Sequence, residues 1–184
     1  VNIKAWLISA STALLTACGS VDVEHYAAEK PTLDLPDFFT GTMDAWGIFQ
    51  KRSGEVARRF HVEILAEWKT PEHGILDERF IYSDGEKQRR VWTLKKQPDG
   101  TWQGTADDVD GVATGRVAGN ALHWTYVLKL PVDGKVYHVN FDDWMWLMDG
   151  QTMINRSTMS KFGIHLGDVT LFFRKRDAQA GSKP

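Results

Sequence analysis

The sequence predicts an all-β protein, an antiparallel up-and-down β-barrel of about 8–10 strands preceded by a signal peptide and a short tether. Three observations carry this reading. Turn dipeptides from Ser53-Gly54 to Asp149-Gly150 punctuate the chain, and a spacing of about eight to twenty residues suits an antiparallel meander. Between the turns, apolar and polar residues alternate with the period of two that a half-buried strand requires. No long amphipathic helix is visible, and so many Gly breaks would not leave one standing.

The N-terminal segment comes first. Residues 1–17 carry one charge, Lys4, followed by an uncharged run from Ala5 to Ala17. A membrane-spanning helix needs roughly twenty apolar residues. This run is shorter and rich in Ser and Thr, so it reads as a secretory signal rather than a retained anchor. It ends in Leu15-Thr16-Ala17-Cys18, followed by Gly19 and Ser20, which resembles the lipobox of bacterial lipoproteins. That resemblance implies acylation of Cys18, cleavage just before it, and attachment to a membrane through the acyl groups. Each buried methylene contributes about 0.8 kcal/mol, so more than one chain gives a stable anchor. Gly19 and Ser20 are similar to the start of lipoproteins sorted to the outer membrane, facing the periplasm of a Gram-negative envelope. Cys18 is the only cysteine, so neither a disulfide framework nor a multi-cysteine zinc site is available.

The formal charge is −2, or −3 once Lys4 has left with the signal. Such a balance offers nothing to attract nucleic acid. Eight Trp and nine Phe are many for 184 residues. They serve an aromatic core or line a cavity.

Residues 18–37 form the lipidated N-terminus and tether, polar and without a period, with a short helical turn expected near Asp34–Phe39. The barrel domain follows over 38–176, and a charged, small-residue tail at 177–184 is expected to fray. In 56–68, Val56, Phe60, Val62, Ile64, Ala66 and Trp68 share one face, opposite Arg59, His61, Glu63 and Glu67. In 120–130, Leu122, Trp124, Tyr126, Leu128 and Leu130 oppose His123, Thr125 and Lys129. Strand 87–96 sets Trp92 and Leu94 beside Arg90. The segments near 100–108 and 111–118 are rich in Gly and Ala, which permits bending or the close approach of a neighbour. The last three, 135–148, 151–159 and 168–175, are long and aromatic. Long antiparallel strands close naturally into a barrel, which removes exposed edges.

Signatures of catalysis are largely missing: no Gly-x-Ser-x-Gly elbow, phosphate loop or His-Glu-x-x-His pair is present. Asp107-Asp108 and Asp142-Asp143 are adjacent, and adjacent strand residues point to opposite faces, so neither pair flanks one substrate. Asp108-Val109-Asp110-Gly111 lacks the acidic positions of a calcium loop, where Ala106 and Val117 stand instead. The six histidines are scattered, so neither a metal nor a cofactor is expected. The run Phe141 to Asp149 is apolar on both faces from Trp144 onward. It reads either as a strand covered on its outer side, for instance by residues 38–46, or as a cavity wall. Arg156, among Met153, Ile154 and Met159, either reaches to the rim or pairs with a carboxylate, such as Asp142 or a lipid head group. Arg90 and Arg116 raise the same question.

Several strings together are specific: Gly41 to Gln50 (GTMDAWGIFQ), Tyr82-Ser83-Asp84-Gly85, Arg89-Arg90-Val91-Trp92-Thr93-Leu94, Phe141-Asp142-Asp143-Trp144-Met145, and Asn155-Arg156-Ser157 with Ser160-Lys161-Phe162-Gly163. Through them the chain resembles an uncharacterised family of Gram-negative lipoproteins, the domain of unknown function 3833, over nearly the whole mature domain. The resemblance implies a periplasm-facing lipoprotein and supplies no catalytic residues. More loosely, Gly41 and Trp46 on a first strand, the meander, and a closing strand ending in Arg174 are similar to the calycin barrels, the lipocalin and fatty-acid-binding group. Membership would imply a small apolar ligand.

The expected function is therefore a lipid-anchored barrel that binds a fatty acid or other hydrophobic ligand, with Trp92, Trp124, Tyr126, Trp144 and Arg156 as candidate cavity residues. Two alternatives stay open. A lipocalin-like enzyme acting on a lipid would need ionisable groups converging inside the cavity. A structural or assembly lipoprotein would have a filled core and work through its outer surface.

Overall fold

Ten strands follow one another around a closed ring. The computed structural model describes residues 20–132 and 134–176; the expected signal peptide, Cys18 and the 177–184 tail lie outside them. The strands are β1 (Gly41–Lys51), β2 (Val56–Thr70), β3 (His73–Tyr82), β4 (Lys87–Lys96), β5 (Trp102–Thr105), β6 (Ala113–Ala118), β7 (Ala121–Val132), β8 (Lys135–Leu147), β9 (Thr152–Lys161) and β10 (Ile164–Lys175). Each pairs antiparallel with its sequence neighbours, and β1 closes the ring on β10 from Met43↔Lys175 to Lys51↔Gly167. Closure gives each strand a partner on both sides, although the short β5 and β6 cover only Thr93–Lys96 of β4 and Ala121–Thr125 of β7.

The alternation read in the sequence sets what points inward. Val62, Ile64 and Ala66 of β2 are buried, as are Leu122, Trp124 and Leu128 of β7. The Asp-Gly turns work by a shared device. Asp84, Asp99 and Asp149 each accept a hydrogen bond from the backbone N–H two residues on. Gly85 and Gly100 then take the positive φ that an L side chain resists.

Two connections stand outside the Asp-Gly set. His73-Gly74, a turn dipeptide by sequence, lies inside β3, where a Cβ on Gly74 would meet the Trp68 indole at 2.6 Å; Pro71 and Glu72 make the turn. Phe162-Gly163 makes the β9–β10 turn, both residues at positive φ.

Within the expected tether, residues 23–37 are seated on the barrel. A single 3-10 turn, Val23–Tyr26, is capped by Asp22 and buries Val23 against Ala118 and Ala121. Glu24 meets Arg116 at 2.7 Å, and the Leu33 N–H donates to the Gly119 carbonyl. The helical turn α1 (Leu35–Phe38), capped by Asp34, then delivers Leu35, Phe38 and Phe39 into the core. The Trp68 indole N–H donates to the Phe39 carbonyl, and Lys175 Nζ donates to that of Asp37 at 2.8 Å. One end of the barrel is thus plugged.

Tyr26, rather than residues 38–46, covers the outer face of β8, with its ring 5.9 Å from Trp144 and 6.2 Å from Trp146.

Candidate functional site

The interior is not filled. A cavity of about 390 Å³ lies inside the barrel. Leu35 and Phe39 of the plug reach one end of it, while Arg58, Tyr82 and Gln88, near the β1–β2 and β3–β4 turns, stand toward the other. Its walls are mostly apolar and aromatic, interrupted by a few charged and polar groups.

Of the five candidate ligand residues, three meet in this cavity. Trp92 lies edge-on to Trp124 and Tyr126, at ring distances of 6.0 and 5.5 Å, and Tyr126 stacks on Phe141 at 4.9 Å. Their position depends on glycine. A Cβ on Gly115 would come within 2.0 Å of the Trp124 ring, and one on Gly104 within 2.6 Å, so the short strands β5 and β6 leave room for that indole.

Trp144 and Arg156 do not reach the cavity. They are register partners on the outer face. Trp144 stacks on His123 at 4.2 Å, while Arg156, its side chain 64% exposed, has Asp168 for its nearest carboxylate at 3.8 Å rather than Asp142. The reason is parity: Asp143, Asn155 and Ser157 point inward, so their sequence neighbours point out. Arg116 is also external, paired with Glu24. Arg90 is internal.

The polar groups of the cavity form two clusters, in which Arg90 had been singled out from the sequence and Glu78 had not. On β2–β4, Arg90 donates from Nε and Nη2 to Asp108 at 2.7–3.0 Å, and its Nη1 is 3.8 Å from Glu78. Asp108 is brought in by the 106–112 loop, which is fastened to β7 where Val109 bridges Leu128. Asp110 of the same loop pairs with His138 Nδ1 at 2.8 Å, and no group of three side chains able to hold a metal appears among the described residues. Arg58 Nη2 donates to Asp84 at 2.7 Å and to Glu86 at 2.6 Å, its guanidinium lying 3.7 Å above the Tyr82 ring.

On β8–β9, Asp143 is 5% exposed and accepts hydrogen bonds at Oδ1 from Asn155 and, at 2.7 Å, from Ser157. In a ring of ten, β3 and β4 stand five strands from β8 and β9, so the two clusters face each other across the barrel.

Burial shapes the chemistry of these groups. It raises the Glu78 carboxyl to about 7, against the opposing pull of Arg90. It raises Asp143 to about 6 despite the Ser157 and Asn155 hydrogen bonds. Tyr126 is pushed well above the ordinary phenol range, by burial first and then by Asp143. For Arg90, burial disfavours the cation, but Asp108 and Glu78 outweigh it and the guanidinium stays charged. Carboxyls that exchange protons near neutrality in an apolar chamber can accept hydrogen bonds or transfer a proton.

The signal for Glu78 was present in the sequence. Leu76, Glu78, Phe80 and Tyr82 share one strand parity, and a charge amid inward apolar residues marks a cavity.

Among curated proteins, none gives a significant match to this sequence. Solved structures resemble it in fold. A protein of unknown function from the DUF3598 family of Nostoc punctiforme is 13% identical with a TM-score of 0.58; the match covers 81% of this chain but only 51% of that one, so this chain spans about half its length. A de novo designed fluorescence-activating β-barrel matches at 11% identity and TM-score 0.45, covering 78% of this chain and 99% of its own. Lobster apocrustacyanin A1 matches at 13% identity and TM-score 0.39, with 87% and 72% covered. At these identities the likeness concerns the fold alone. The sequence profile of one family of unknown function matches residues 12–175, almost the full length, and on that ground the chain belongs to the DUF3833 family.

Proposed function

We propose that this protein is a lipid-anchored lipoprotein of the Gram-negative envelope whose barrel binds a fatty acid or other hydrophobic molecule. The observation that carries the binding role is the cavity of about 390 Å³, apolar-walled with a few converging polar groups, which is how small-molecule sites are built. A barrel of this size can hold one small ligand. The anchor rests on the lipobox-like Leu15-Thr16-Ala17-Cys18. Between Cys18 and the seated Val23 the chain spans at most about 18 Å, so acylation at Cys18 would hold the barrel close to the membrane, probing the periplasm.

Native mass spectrometry of the Gly19–Pro184 chain, exported and purified without detergent, tests the binding role. A stoichiometric lipid released on organic extraction supports it. An apo mass that stays unchanged after incubation with fatty acids and phospholipids sinks it and turns attention to the outer surface.

One observation favours a second reading, an enzyme acting on the bound lipid: Glu78 and Asp143 lie in the same chamber with carboxyls that hold protons near neutrality. A change in mass or structure of the extracted lipid on incubation with fresh protein, lost in Glu78→Gln, would select it.

A further inference from the structure

We infer that the outer wall of β8, β9, β10 and β1 is a membrane-docking face, which lies against the head-group region of the bilayer beside the anchor. This rests on the lipid anchor proposed above and names the surface that the anchor brings to the membrane.

A row of register partners crosses these four adjacent strands on the outside of the barrel. Trp46 on β1 stands opposite Phe172 on β10, Phe172 opposite Ile154 on β9, and Ile154 opposite Trp146 on β8. Directly opposed residues share a face, so these side chains form one stripe, and the rings of Trp46 and Phe172 are 6.3 Å apart. Trp46 is 49% exposed, Phe172 41% and Ile154 37%. Exposed apolar residues are ordinary when scattered singly; a contiguous stripe marks a contact surface. Exposed arginines border it on both sides. Arg174 stands in the next outward row toward the plugged end, and Arg156 in the next toward the open end.

The position of the anchor says what covers the stripe. Trp146 also stands opposite Ala121, on which Val23 packs. With strands about 4.8 Å apart, the stripe runs out to about 20 Å from that point. Cys18 is five residues before Val23 and reaches no farther from it than about 18 Å. Acyl chains fixed at Cys18 therefore keep this flank of the barrel within reach of the bilayer. An indole suits the head-group level, and guanidinium groups on either side can meet lipid phosphates. A protein partner fits less well. Trp46, Phe172 and Ile154 together expose on the order of 300 Å², against about 800 Å² a side in a stable interface. Contact of that size is weak alone and becomes effective when an anchor supplies the local concentration. A second exposed apolar site, Phe162 at 88% with Ile164 at 56%, lies at the β9–β10 turn, a strand length from the plugged end.

The test uses the full chain, exported and acylated in a Gram-negative host and reconstituted into vesicles of phosphatidylethanolamine and phosphatidylglycerol. With Cys18 acylated, Ile154→Cys or Phe162→Cys supplies one free thiol for a nitroxide label. The reference is the same label on the soluble Gly19–Pro184 chain. On the vesicle, the Ile154 label is expected to lose most of its collisions with a water-soluble nickel chelate and to gain collisions with oxygen. The Phe162 label is expected to keep both unchanged. Adding Trp46→Ser and Phe172→Ser is expected to return the Ile154 label to water with the chain still on the vesicle; near-UV circular dichroism of the soluble form checks its fold. The inference is overturned, with the anchor intact, by an Ile154 label that meets nickel equally in both forms, by a Phe162 label shielded in its place, or by shielding that survives both Ser substitutions. A mass without acyl groups on Cys18 removes the anchor, and the inference falls with it.

Discussion

Glu78 concentrates the chemistry of the cavity in one side chain. Its carboxyl is raised from 4.5 to about 7, first by burial, so between those values the folded state holds a proton that the unfolded chain releases. Its contribution to stability is therefore fully present below about pH 4.5 and is lost as pH rises through 7. Replacing it with Gln removes this dependence. Glu78→Gln is expected to be more stable than the parent by about 1–3 kcal/mol at pH 8 and nearly equal to it at pH 4.5, as read by urea denaturation at the two values. A parent stability that does not fall between them would contradict the raised carboxyl. Gly115 shows a different constraint. Its φ is ordinary, but a methyl there would meet the Trp124 ring at 2.0 Å. Because Gly104 confines the far edge of the same indole, Trp124 has little room to yield. Gly115→Ala should cost about 1–3 kcal/mol, and the same denaturation series checks it.

At the scale of elements, the segment from Val23 to Phe39 matters most. It is short of regular structure, yet it clamps the outer face near β6 and β7, then turns inward to plug the barrel. Phe39 is 4% exposed, touches Phe173 edge-on at 6.1 Å and lines the cavity. Phe39→Ala should cost about 3–5 kcal/mol. It should also enlarge the chamber at the plugged end, so a longer-chained ligand is expected to gain relative to a shorter one in competition binding. The strand that the sequence marked as unusual, β8, does two jobs at once: Phe141, Asp143 and Met145 line the cavity, while Trp144 and Trp146 stack outside beneath Tyr26. Tyr26→Ala is expected to red-shift tryptophan emission by uncovering that pair, with little effect on ligand binding.

The whole molecule is a closed meander in which each strand pairs only with its sequence neighbours, except at the β1–β10 seam. The polypeptide enters at the plugged end, where the Val23 turn packs beside the β6–β7 connection. With Cys18 acylated, the plugged end would sit nearest the bilayer and the Arg58–Tyr82 end would face away. Cys18→Ser is expected to move the protein from the membrane pellet to the soluble periplasmic fraction without changing ligand affinity; retention in the pellet would remove the lipid anchor from this account.

Much of this architecture was legible before any coordinates. Strands, their order and the turn residues follow from local chemistry: alternation defines a strand, and Asp-Gly defines a hairpin, through interactions that span a few residues. The helical turn near Asp34–Phe39 was legible for the same reason, since Asp34 caps it locally. Trp92, Trp124 and Tyr126 followed from alternation in strands whose inner faces are apolar throughout. Trp144 and Arg156 went astray because β8 and β9 turn polar residues inward, at the level of the cavity, so the rule that apolar faces point to the core inverted their parity. The sequence by itself determined the class of fold, because closing a meander of alternating strands needs only near-neighbour pairing. Tertiary structure alone decided the site: Glu78 and Asp143 are 65 residues apart in the chain, and only closure of the ring at β1–β10 sets them face to face across a space that burial keeps apolar.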